Sequence, residues 1–302
     1  MGDGVKKKPT RTTRRHRELR LKIYALLTVC VLGAAVYVGI TQKTQETSVQ
    51  AEKDISEKES AQTTPSPAAK KEPAKPKEVF GPPTREQMIL ANADLYPEEL
   101  IKDLKRNPEI LEFVWGYLTA KPQAAGGITE AEKPQPVPLL LQWDARWGYV
   151  PYGKHNIGIS GCGPTCLSMV LYSLTGDKSL TPDFLAQRAM NEGYYVDGVG
   201  TSWSFLTNVC KDYGVKAALT EIITPEKIKE YTDAGGLIIC SMGPGDFTDT
   251  GHFIVIRGIS DTGKILINDP FSKANTEKEW EYETVAAQMK QSWAYTKAAG
   301  TN

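Results

Sequence analysis

The chain has 302 residues with 36 basic and 36 acidic side chains, a formal net charge of zero at pH 7. That length allows one large or two small domains beside any tails. Nine basic but only two acidic residues fall within residues 1–22, leaving 27 basic against 34 acidic in the rest. A mildly acidic body argues against nucleic acid as a partner. Five cysteines without a CxxC spacing, and three histidines, make neither a disulfide framework in a chain this long nor a zinc site. No cofactor or metal is expected.

In chain order, residues 23–40 (IYALLTVCVLGAAVYVGI) form an uncharged apolar run of 18 residues. At 1.5 Å per residue it spans about 27 Å, enough for a bilayer core. The basic block before it marks the cytoplasmic side. A secretory signal peptide competes, with Ala34-Ala35 as small residues for cleavage. The long basic region and long apolar run favour an uncleaved signal anchor instead. The expectation is a cytoplasmic tail (1–22), a single transmembrane helix (23–40) and a body outside the cytoplasm. Residues 41–83, rich in Lys, Glu and Pro, predict a disordered spacer.

Residues 84–120 predict two or three short helices. Thr84 can cap the first, and Pro97 and Pro108 restart the chain. Their apolar residues are too few for a core of their own, so they should dock on the larger body C-terminal to them. Residues 121–136 are a Pro/Gly/Ala connector, 137–296 are dense with structure, and 297–302 are a tail. Leu139–Asp144 reads as a strand running into a loop. A helix should begin at or just after Cys162, with Pro164 in its first turn, and end near Gly176. Thr181-Pro182 and Thr224-Pro225 should start helices at about 182–192 and 225–233, and Thr201 should cap one ending at Gly214. Apolar runs at 237–240, 253–259 and 264–268 read as strands, the last two joined through Asp261-Thr262-Gly263. Helices first and sheet after indicate an α+β domain.

Cys162 lies where free backbone N–H groups and the helix dipole favour a thiolate, the nucleophilic form. Cys166 is one turn deeper, followed by Leu167 and Met169, where a thiol is desolvated. His16 falls in the cytoplasmic tail, and His155, in the loop from Tyr152, reads as surface. His252 opens an apolar strand, and Asp269 ends its hairpin partner, at the same end of the sheet. Each residue alone has an ordinary structural reading. Together they suit a nucleophile, its base and a group that orients the base. An oxyanion would need donors: the Cys162 N–H and, 20 residues upstream, the Gln142 amide, which otherwise is a plain loop glutamine. Asp197–Trp203 reads equally well as a substrate-facing rim or as a Gly-rich start to a capped helix. Cys210 and Cys240 are expected as buried free thiols rather than a bridge.

Four segments occur in order: Gln142-Trp143-Asp144-Ala145-Arg146-Trp147-Gly148, then Gly161-Cys162-Gly163-Pro164-Thr165-Cys166-Leu167-Ser168-Met169, then Gly251-His252-Phe253-Ile254-Val255, then Asn268-Asp269-Pro270. They resemble the C39-like peptidase family of papain-like cysteine peptidases, over about residues 137–296. The resemblance implies a papain-like fold, in which a helix carrying Cys packs on an antiparallel sheet carrying His and Asp. It implies Cys162 as nucleophile, His252 as base, Asp269 as its orienter, Gln142 as oxyanion donor, and a peptide or protein substrate. Gly161, Gly163, Gly251 and Trp203 are expected to border that substrate. Nothing resembling a transporter follows the matched segment, so cleavage after a double-glycine leader is not implied. The function expected is a membrane-anchored extracytoplasmic cysteine peptidase working through a thioester. The alternatives are a cell-wall peptide amidase or transpeptidase using the same thiol, and a non-catalytic peptide-binding module.

Overall fold

A computed structural model describes residues 82–220 and 224–298. The basic tail, the expected membrane span 23–40 and the spacer up to residue 81 lie outside the described residues. Among the described residues no helix is long and apolar enough to cross a membrane.

Three short helices come first: α1 (Arg85–Ala91), α2 (Glu98–Arg106) and α3 (Leu111–Gly116). Thr84 starts α1 with a capping box. Its hydroxyl accepts from the Gln87 N–H, and the Gln87 side chain accepts from the Thr84 N–H. Pro97 occupies the cap position of α2 and Pro108 opens a short 3₁₀ turn, so each proline ends one helix and begins the next. Leu100, Ile101, Leu104, Phe113 and Val114 pack together and are covered by Trp143, Tyr149, Ile159 and Phe271 of the main body. The segment docks, as its composition requires.

The body continues with β1 (Pro151–Tyr152), β2 (His155–Asn156), α4 (Ile157–Ser160), α5 (Cys162–Thr175), α6 (Pro182–Asn191), β3 (Tyr195–Val196), β4 (Gly200–Thr201) and α7 (Phe205–Asn208). After these come β5 (Val215–Thr220), α8 (Pro225–Asp233), β6 (Leu237–Met242), β7 (His252–Ile259), β8 (Ile265–Asn268), α9 (Lys273–Glu277), α10 (Tyr282–Gln288) and β9 (Met289–Lys297). Five strands form one sheet in the order β5-β9-β6-β7-β8, every neighbour antiparallel. Both faces are covered. Leu237, Ile239, Phe253, Val255, Trp293 and Tyr295 join the core around α5. Ile238, Cys240, Ile254, Ile256 and Ile267 pack on the other side with Ile228 of α8 and Val285 of α10. A strand buried on both faces is apolar throughout rather than alternating, and β6 is buried at all six positions. The described residues fall within one compact unit.

The helix signals hold closely. Thr181 and Thr224 cap helices with proline in the first turn. Gly176, at φ 75°, closes α5 in the left-handed conformation that glycine adopts without strain. Two expectations fail. Leu139–Asp144 is not a strand: no neighbour supplies a ladder, and the Gln142 N–H instead donates to the Pro270 carbonyl at 2.8 Å. Thr201 is not a cap, because it lies in β4 with its hydroxyl 2.7 Å from that of Tyr152. The helix starts later, at Phe205, and gives way to a 3₁₀ turn before Gly214.

Candidate active site

Cys162 is the first residue of α5, and Gly163 to Tyr172 behind it are all buried. The helix is therefore embedded in the core, and its start opens on a cleft of about 780 Å³ that Cys162, half-buried, helps to line. One turn deeper, Cys166 is fully buried and donates from Sγ to the Phe253 carbonyl at 3.2 Å. Burial pushes its thiol well above the ordinary cysteine range. Cys166→Ala should therefore keep the Cys162 labelling rate within about twofold while lowering stability by about 1 kcal/mol from lost packing. A thermal melt and peptide mapping after iodoacetamide check both.

His252 opens β7, and Asp269 directly follows β8. The hairpin register pairs Val255 with Asn268, which brings the two side chains to one end of the sheet. Nε2 of His252 lies 2.7 Å from Oδ1 of Asp269. The carboxylate is fully buried and held on other sides too: Oδ1 accepts from the Phe271 N–H and Oδ2 from the Asn275 amide, each at 2.8 Å. Because Nε2 is committed to Asp269, Nδ1 is left for Cys162, which lines the same cleft. Burial by itself would lower the imidazole pKa. The Asp269 charge and hydrogen bond, with Cys162 adding to them, outweigh it, and the pKa is pushed up to about 10. These partners favour the protonated ring.

Gln142 stands beside the turn that leads into Cys162. It is buried, does not line the cleft, and its amide nitrogen donates to the carbonyls of Gly158 at 2.8 Å and Ile159 at 3.4 Å. It braces α4, the turn leading into Cys162. Its Oε1 is buried without a hydrogen-bond partner among the described residues. Gly161 and Gly163 are also packing residues rather than cleft surface. A Cβ on Gly161 would come within 2.4 Å of Ile157, and one on Gly163 within 2.6 Å of the Thr201 hydroxyl. Gly251 and Trp203 do line the cleft, Trp203 with its ring edge-on to Trp293. Residues 197–201 line it as well, with Val199 77% exposed at the hairpin tip. His155 is half-buried on the cleft wall, not on open surface. Cys210 and Cys240 are buried free thiols. Among the described residues no group of three or more His, Cys, Asp or Glu could hold a metal ion.

The model of the Peptidase C39 like family matches residues 134–301, more than half of the chain. The chain belongs to this family. No curated protein matches it. Solved structures similar to it include the peptidase domain of Streptococcus ComA, a bifunctional ABC transporter involved in a quorum sensing pathway (16% identity, 46% of this chain and 92% of that one, TM-score 0.37). A C39-like peptidase from Bacillus anthracis is similar at 16% identity, over 53% of this chain and 94% of the other, with TM-score 0.33. A double glycine motif protease from an AMS/PCAT transporter, in complex with the leader peptide, is similar at 20% identity, over 46% and 86%, with TM-score 0.33.

For a C39-like chain, the cleft has an addition that the four motifs do not announce. Glu99 and Asp103 of α2, which lies ahead of the matched residues, line it alongside Lys290 of β9. The docking of the helical segment puts them there. Arg106 pairs with Asp249 at 3.0 Å and donates to the carbonyls of Gly245 and Asp246. The Asn107 amide donates to the Phe271 carbonyl at 2.6 Å. The Glu109 carboxylate accepts from the Lys273 and Ala274 N–H groups at the start of α9. These anchors grip the loops on both sides of His252 and Asp269. No sequence spacing signals them, since the partners are more than 130 residues apart.

Proposed function

We propose that this member of the C39-like family is an active cysteine peptidase in which Cys162, His252 and Asp269 act as nucleophile, base and orienter. The observation that carries the reading is the 2.7 Å His252–Asp269 bond, which leaves the other ring nitrogen to Cys162 at a helix start on an open cleft. The Cys162 thiolate attacks the peptide carbonyl carbon, forming a C–S bond and an oxyanion. The His252 imidazolium gives its Nδ1 proton to the departing amine as the C–N bond breaks, leaving a thioester. Water then attacks with His252 as base; the C–S bond breaks and the acid is released. The Cys162 N–H is the first oxyanion donor. Gln142 is proposed as the second, through release of the longer bond to Ile159. A peptidyl chloromethyl ketone should label Cys162 in the native chain and label nothing in Cys162→Ala. Absence of labelling, or labelling first on Cys166, would overturn the assignment and leave a binding module.

The same reading places the peptidase outside the cytoplasm, held by residues 23–40 as a signal anchor and reaching peptide or protein substrates there. It rests on the basic block ahead of the apolar run. Protease added to intact cells should remove the body beyond the spacer, and full protection of residues 84–298 would overturn it.

A further inference from the structure

Asp103 and Glu99 stand one turn apart on α2, whose opposite side carries the buried Leu100, Ile101 and Leu104. Their stripe faces the cleft. Asp103 is half-buried, and its carboxylate has no hydrogen-bond partner among the described residues, whereas Arg106 on the same helix is committed to Asp249. Of the two lysines on the cleft, Lys154 is paired with Asp197 at 2.7 Å, and Lys290 lies against Gly243. The charges acting on Asp103 are Glu99 and Arg106 from its own helix, His252 from β7 and Asp249 from the loop before β7.

Asp103 lines the same cleft as His252, and the Arg106–Asp249 pair seats this helix against the loop that leads into His252, which decides which half of a substrate Asp103 meets. The base must stand beside the departing amine to protonate it. A carboxylate on the His252 side of the open cleft therefore borders the peptide leading away from that amine. We propose that Asp103 is a specificity-determining residue that draws a cationic side chain, lysine or arginine, to the amine side of the scissile bond. This rests on the peptidase reading of the site. It gives the docked helical segment a part in substrate choice, separate from the machinery supplied by the matched residues. Burial raises the Asp103 pKa to about 6 against the opposing charges of His252 and Arg106, so the carboxylate is charged at neutral pH and the preference fades below about pH 6.

Two measurements on the full chain test the proposal. In the first, Cys162 is labelled with (2-aminoethyl) and (2-sulfonatoethyl) methanethiosulfonate, and the ratio of cation to anion rates is taken, so that effects common to both reagents cancel. The ratio should fall about fivefold in Asp103→Asn, stay high in Asp103→Glu, and decline in the native chain as pH drops through 6. An unchanged ratio in Asp103→Asn overturns the proposal. In the second, a peptide library with lysine or glutamine at each position should be cut preferentially with lysine on the amine side, and Asp103→Asn should lose that preference. A preference persisting in the variant overturns the proposal too. If no peptide is cut while the labelling ratio shifts as expected, the peptidase reading fails and the charge selection by Asp103 stands.

Discussion

Cys162→Ser should lower kcat/KM by at least about a thousandfold while leaving the fold intact. A hydroxyl does not ionise against an imidazolium as a thiol does, so the paired nucleophile is lost although the atom stays in place. Cys162 is half-buried and its helix is held by the buried run behind it, so the melting temperature should shift by no more than about 2 °C. The measurements are turnover of whichever library peptides the native chain cuts, and a thermal melt of both proteins. Retained turnover in a folded Cys162→Ser protein would remove Cys162 as nucleophile.

His252→Ala should be as damaging to turnover, about a thousandfold or more, and it should also destabilise the protein. Removing the ring leaves the Asp269 carboxylate at zero exposure with only its bonds to Phe271 and Asn275. An uncompensated buried charge costs about 3–5 kcal/mol. Asp269→Asn should be milder, because the amide oxygen can still accept a hydrogen bond and hold the ring. His155→Ala should lose less than about tenfold, since that ring has no carboxylate partner of this kind among the described residues. The pH dependence has a definite sign. The His252 pKa is raised from 6.5 to about 10 in the folded chain. Its stabilising contribution is therefore fully present below pH 6.5 and is lost as pH rises toward 10. Activity and stability should both fall on an alkaline limb near pH 10. That limb should move to lower pH in Asp269→Asn, where the charge that raises the pKa is gone. A limb that stays in place would mean that Asp269 does not set the charge on His252.

Much of this was legible from local chemistry. The start of α5 followed from a Gly-Cys-Gly-Pro turn running into apolar residues. The meeting of His252 with Asp269 followed from a short hairpin turn, which leaves little freedom in register. Prolines placed after threonines named helix starts within a residue. Other elements were hidden. β5 and β9 make the far side of the sheet, yet β9 runs through Lys290, Gln291 and Ser292, and β5 carries Lys216 and exposed positions. Such strands show neither a continuous apolar run nor strict alternation. Leu139–Asp144 has the residues of a strand but no neighbour to pair with.

The sequence by itself determined the helix that begins at Cys162, the hairpin bearing His252 and Asp269, and which thiol reaches the cleft. Each depends on contacts within a turn or across one hairpin, and side-chain period and cap chemistry constrain those strongly. Tertiary structure alone decided the walls of the cleft. The Gln142 amide is taken up by the turn before Cys162, and Gly163 is needed because Thr201 packs against it. Asp103 reaches the edge of the site because Arg106, Asn107 and Glu109 bind loops far along the chain. The physical reason is that such contacts join surfaces already shaped by their own local rules. Their meeting depends on the buried area and hydrogen bonds of the whole docked segment, which no spacing within one stretch records.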